Sequence, residues 1–164
     1  MILVANTTLP KKNPEFRLAR ISRYASSTVF LEINPMFTKL LTQEEEIGRA
    51  IVNAAFTVHK HLGPGLLERV YEACITHELR KAGFGVARQI EIPIQYDGLT
   101  FEEGLRLDLL IENKVLVEIK AVEMINPVWH AQVLSHLKLT GLRLGYLINF
   151  DVPLIREGIK RFIL

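Results

Sequence analysis

The chain of 164 residues has a single cysteine, Cys74. Alone it closes no internal disulfide, which fits a reducing cytoplasm; a small apolar residue on a helix accounts for it. No stretch approaches the roughly 18 apolar residues that span a bilayer. Met1-Ile2-Leu3-Val4-Ala5 lacks the basic-then-apolar layout of a secretory leader, because polar residues follow at once. A strong charge of one sign is also missing: 20 Lys/Arg against 18 Asp/Glu leave +2. Residues 1–42 hold six basic and two acidic side chains, +4, and the remaining fourteen basic and sixteen acidic ones leave −2. The main body is therefore not a strongly basic nucleic-acid binder. Neither C-x-x-C nor H-E-x-x-H occurs, so the five histidines (His59, His61, His77, His130 and His136) support a zinc site only weakly. Gly63-Pro64-Gly65 is a turn and not a phosphate-cradling loop, which leaves a hydrolase of small phosphate compounds without support.

What is present is an ordinary globular balance, 49% hydrophobic and 23% charged, on a length that suits one domain. Residues 1–41 show no sustained period and are expected to form a loosely attached N-terminal extension. Ser22 to Ile33 suggests at most a short strand, and Met36 is a plausible true start. The domain itself is expected over residues 42–164. Thr42-Gln43-Glu44-Glu45 is a capping box. Ile47, Ile51, Ala54, Val58 and Leu62 then follow at helical spacing, and Gly63-Pro64-Gly65 ends the helix. A second helix is predicted from about Leu66 to Ala82, with Leu67, Val70, Tyr71, Cys74 and Ile75 as its apolar stripe. Strands are predicted from Ala87 to Tyr96, from the Asp97-Gly98 turn to about Glu112, and from Val115 to Val122. Asn126-Pro127 opens a helix that Gly141 closes. Arg143 to Phe150 reads as a strand covered on both faces, and Val152 to Leu164 as a terminal helix. The order is α-α-β-β-β-α-β-α, a mixed α/β (α+β) chain.

Inside this apolar sequence lie Asp108 and, ten residues on, Glu118-Ile119-Lys120. Strands seldom bury two carboxylates and a lysine without a reason, because an unpaired buried charge is costly. A hard divalent cation supplies one, since it takes carboxylate oxygens. Side chains alternate across a sheet. Arg106, Asp108 and Glu112 then share one face, with Leu105, Leu107, Leu109 and Ile111 on the other; Glu118 and Lys120 share a face of the next strand. Asp108 meets Glu118 only if the connection at Glu112-Asn113-Lys114 has three residues or contains a bulge, and that is the expectation. Asp108, Glu118 and the Ile119 carbonyl would hold Mg²⁺ or Mn²⁺, and Lys120 would orient the attacking water or stabilise the phosphorane charge. The plain alternative is a cross-strand salt bridge. Glu68 opens the second helix, where the helix N-terminus favours a carboxylate in any case, and it is a further candidate ligand. Gln132 and His136 share a helix face. Trp129 is expected in a core or an interface.

Val58-His59-Lys60-His61-Leu62-Gly63-Pro64-Gly65-Leu66-Leu67-Glu68-Arg69-Val70-Tyr71 resembles the signature of the GxxExxY protein family, within the PD-(D/E)XK nuclease superfamily. Gly104 to Leu110, Val117 to Val122, Ala131 to Leu134, Thr140-Gly141 and Leu147 to Phe150 agree with it, so the likeness spans about residues 43–164. The resemblance implies a restriction-endonuclease-like core, a mixed sheet flanked by helices. It implies a site of Glu68, Asp108, Glu118 and Lys120, with Gln132 from the following helix. It further implies a Mg²⁺- or Mn²⁺-dependent nuclease acting on nucleic acid, with DNA the expected substrate. In the exonuclease-like branch that glutamine begins Q-x-x-x-Y; here His136 stands in the tyrosine's place. The competing expectation is a catalytically silent nucleic-acid-binding or protein-interaction module of the same fold. A homodimer or a larger nuclease complex suits the small size and mildly acidic body.

Overall fold

The computed structural model describes residues 42–164. The possible strand at residues 22–33, the alternative start at Met36 and the N-terminal extension lie outside them. Two helices come first, α1 (Thr42–Leu62) and α2 (Glu68–Lys81). Ile47, Ile51, Ala54 and Val58 of the expected stripe are buried on α1, while Leu62 at its end is 39% exposed. The link between the helices turns on Gly63 and Gly65, with φ of 66° and 90°, conformations that glycine adopts without a Cβ penalty. Tyr71 fastens this link: its hydroxyl donates to the Gly63 carbonyl at 2.8 Å and accepts the Leu66 N–H at 3.1 Å. Its ring is fully buried and stacks on Phe150 at 4.3 Å. The expected α2 stripe is only partly right. Leu67 lies just before the helix and is 62% exposed, and the buried face runs through Tyr71, Glu72, Ile75, Thr76 and Leu79.

Five strands form one sheet in the order β1-β2-β3-β4-β5. β1 (Val86–Tyr96) and β2 (Leu99–Ile111) are an antiparallel hairpin. Asp97 and Gly98 both have positive φ, 46° and 79°, the type I′ geometry that suits strand twist. β2 returns through Glu112-Asn113-Lys114 to β3 (Val115–Lys120), pairing Ile111 with Val115 and Leu109 with Val117. The three-residue connection is thus present; the paired register ends at Leu109 and Val117, one step before Asp108 and Glu118. β3 runs parallel to β4 (Leu144–Asn149) through the crossover helix α3 (Pro127–Thr140). Asn126 caps α3, its side chain accepting the Val128 N–H at 3.0 Å, and Gly141 ends it in the left-handed conformation. All six β4 residues are buried. α1 and α2 pack on one face, over Leu109, Ile111, Val115, Val117, Ile119 and Ile148. α3 covers the other, with Val133 and Leu137 on Leu116, Leu147, Leu107 and Ile92. Among the described residues no helix is long and apolar enough to cross a membrane.

Two expectations fail. The segment from Val152 is not one helix. Only α4 (Ile155–Gly158) is helical, and β5 (Ile159–Ile163) pairs antiparallel with β4. The reason is the outer edge of β4, whose backbone polar groups need partners when the strand is buried. Gly158 permits the approach: a Cβ there would stand 2.0 Å from the Asn149 carbonyl oxygen. The second failure is the single leucine face of β2. Leu109 and Ile111 join the core under α1 and α2, whereas Leu107 joins the core under α3. The change falls opposite Gln89, which lies between the pairs Arg88↔Leu109 and Ile90↔Leu107 and has φ of 50°. One left-handed residue kinks the hairpin and turns its far half towards the other helix layer.

Candidate active site

The kink, the end of β3 and the start of α2 border an open cleft of about 630 Å³. It is lined by Glu68, Glu72, Gln89, Asp108, Glu118, Lys120 and Gln132, together with Leu67, Arg69 and Arg106. All five side chains expected at the site (Glu68, Asp108, Glu118, Lys120 and Gln132) therefore meet in one place. β2 carries Asp108, β3 carries Glu118 and ends at Lys120, and Glu68 opens α2 just after the turn tied down by Tyr71. Gln132 comes from α3.

The charges interlock. Asp108 Oδ2 accepts the Ile119 N–H at 2.9 Å, which fixes the carboxylate across the two strands. Lys120 Nζ donates to the Ile119 carbonyl at 3.0 Å and lies 3.9 Å from both Asp108 Oδ2 and Glu68 Oε1. The Trp129 ring centre is 5.9 Å from the same ammonium; Trp129 is half-buried and packs on the core beneath α3. Glu118 is 2% exposed, and its Oε1 is 2.9 Å from Nδ1 of the buried His136. The imidazole N–H donates to this oxygen, so the residue in the tyrosine's place holds the central carboxylate. Burial pushes the Glu118 carboxyl above its ordinary range, and the His136 hydrogen bond pulls it partly back. Burial also raises Glu68; Lys120 lowers it, while Asp108 and Glu72 raise it further. Carboxyls shifted by desolvation and like charge in a cleft are candidates for a functional site.

The site also contains residues that sequence reasoning passed over. Glu72 is 5% exposed and takes Arg88 Nε on Oε1 and Gln89 Nε2 on Oε2, each at 2.7 Å. Gln89 Nε2 also lies 3.4 Å from Asp108 Oδ1, and Arg106 Nε donates to Gln89 Oε1. The available signal was the four-residue spacing of Glu68 and Glu72, one face of α2. Nothing in the sequence marks Gln89 as left-handed. The histidines do not gather: His59 Nε2 contacts the Val152 carbonyl and His61 Nδ1 the Thr57 carbonyl, both at 2.8 Å.

The donors offered to an ion are oxygens, which suits Mg²⁺ or Mn²⁺ better than softer metals. Asp108, Glu68 and the Ile119 carbonyl already converge on one cation, the Lys120 ammonium. Among the described residues no three His, Cys, Asp or Glu side chains form a ready-made metal cage.

A mixed sheet between helix layers, with an acidic pair and a lysine where β3 ends beside β2, defines a restriction-endonuclease-like protein. The model of the PD-(D/E)XK nuclease superfamily matches residues 45–162, and the chain belongs to that superfamily. Nucleases of this superfamily generally use divalent metal ions, and their substrates are nucleic acids. No curated protein and no solved structure matches the chain.

Proposed function

We propose that this chain is a metal-dependent nuclease that hydrolyses phosphodiester bonds in DNA, of the GxxExxY type. The observation that carries the reading is the meeting of Asp108, Glu118 and Lys120 in one cleft, with Asp108 tied to the Ile119 N–H, on a superfamily-matched fold. Asp108, Glu118 and the Ile119 carbonyl would hold Mg²⁺ or Mn²⁺, with Glu68 beside them as a further carboxylate. An ion held there would supply Lewis-acid polarisation of the scissile phosphate and a water of lowered pKa. Lys120 leaves its carboxylate partners to orient that water and to stabilise charge on the phosphorane. His136 keeps Glu118 oriented by donating to its other oxygen, as outer partners do for metal ligands. Gln132, reaching in from α3, contacts the substrate strand. The setting is cytoplasmic, and the working form is a homodimer or part of a larger nuclease complex.

Calorimetry tests the metal half of this reading. Mn²⁺ binds the parent with an affinity that Asp108→Ala lowers at least tenfold. A parent that takes up no Mn²⁺ points instead to a silent binding module of the same fold.

A further inference from the structure

The cleft has to hold a polyanion, yet Glu68, Glu72, Asp108 and Glu118 all line it. Lys120 is engaged with Asp108 and Glu68, and Arg88 with Glu72. The cations left among the lining residues are Arg69, on the α2 wall, and Arg106, on the β2 wall. Arg69 is exposed and makes no hydrogen bond or ion pair among the described residues. Arg106 is held differently. Its Nε donates to Gln89 Oε1, and Gln89 is itself fixed by Glu72. Its two terminal nitrogens have no partner among the described residues, and Glu91, opposite in the register, makes no ion pair with it. A guanidinium anchored at Nε with its fork unpaired is prearranged for bidentate contact with a phosphate.

Resting on the nuclease reading above, we propose that Arg106, steadied by Gln89, and Arg69 form a phosphate clamp that grips the backbone of the bound nucleic-acid strand on either side of the scissile phosphate. The left-handed Gln89 then has a purpose: it turns its amide into the cleft, where Glu72 and Arg106 meet it. Arginine donors to phosphate oxygens fix the strand's position and read no base, so the clamp acts on every sequence alike.

The test is fluorescence anisotropy of a labelled 20-base-pair DNA duplex, its single strand and the matching RNA, with Ca²⁺ in place of Mg²⁺, across a salt series. The full chain, Arg69→Ala, Arg106→Ala and Arg106→Lys are compared, with thermal melts to verify folding and calorimetry to follow Mn²⁺. Each alanine variant is expected to bind roughly tenfold more weakly. Each should lower the log–log salt slope by about one, equally for unrelated sequences. Arg106→Lys keeps the slope but not the affinity, because the fork is lost. Mn²⁺ affinity does not fall in any of them. A parent that binds while both alanine variants match its affinity and slope overturns the clamp and leaves the nuclease reading standing. A parent that binds no nucleic acid overturns both.

Discussion

Glu118 concentrates the chemistry of the site in one side chain. It lies on a strand whose other residues, Lys120 apart, are apolar, is buried, and shares a hydrogen bond with a buried histidine. Its burial has a consequence for stability. A carboxyl whose pKa rises on folding keeps its proton in the folded chain where the unfolded chain has already released it. The stabilisation that follows is complete below the ordinary value of 4.5 and is lost as pH climbs through the raised value. In the metal-free protein, melting temperature should therefore fall with rising pH across that window. Glu118→Gln should flatten the fall and weaken Mn²⁺ binding at least tenfold. Equal pH slopes for parent and variant would contradict the buried-carboxylate account. Asp108 and the E-x-K string were legible in the sequence because charges stand out among valines and isoleucines. The partner of Glu118 was not, because a helix face shared by Gln132 and His136 does not reveal which of them turns inward.

Among the elements, β3 and α3 follow their sequence signals closely, and β2 does so in its bounds but not in its single apolar face. Asn126 and Gly141 bound α3 through side-chain capping and a left-handed glycine, both local effects. The Asp97-Gly98 turn and the odd connection at Glu112-Asn113-Lys114 are local as well. β5 was missed because Ile159-Lys160-Arg161-Phe162-Ile163 has no decisive period of its own, and its conformation is set by hydrogen bonding to β4, distant in sequence. The kink at Gln89 was missed because glutamine carries no turn preference. Two substitutions test how elements hold the site. Tyr71→Phe removes the two hydrogen bonds that fasten the turn before α2. It should cost about 1–2 kcal/mol in urea unfolding and weaken Mn²⁺ binding by loosening Glu68; unchanged stability would show that the turn is held by packing alone. Gly158→Ala would drive a Cβ against the Asn149 carbonyl, costing about 1–3 kcal/mol. A neutral result would mean that β5 is not seated against β4 as described.

For the molecule as a whole, a nearly neutral body is compatible with nuclease chemistry because the bound ion offsets acidic ligands where the phosphate docks. A ligand that binds the folded chain alone also stabilises it, so Mn²⁺ at a hundred times its Kd should add about 2.7 kcal/mol. The central claim is that the cleft lined by Glu68, Asp108, Glu118 and Lys120 cuts DNA with a divalent ion. The most direct measurement is cleavage of linear duplex, supercoiled plasmid, single-stranded DNA and RNA, each with Mg²⁺, Mn²⁺ or EDTA, beside a Glu118→Ala/Lys120→Ala double variant. The account predicts that the parent cleaves DNA with Mg²⁺ or Mn²⁺, and that EDTA and the double variant both abolish cleavage. Cleavage that survives either one, or no cleavage of any substrate, would contradict it.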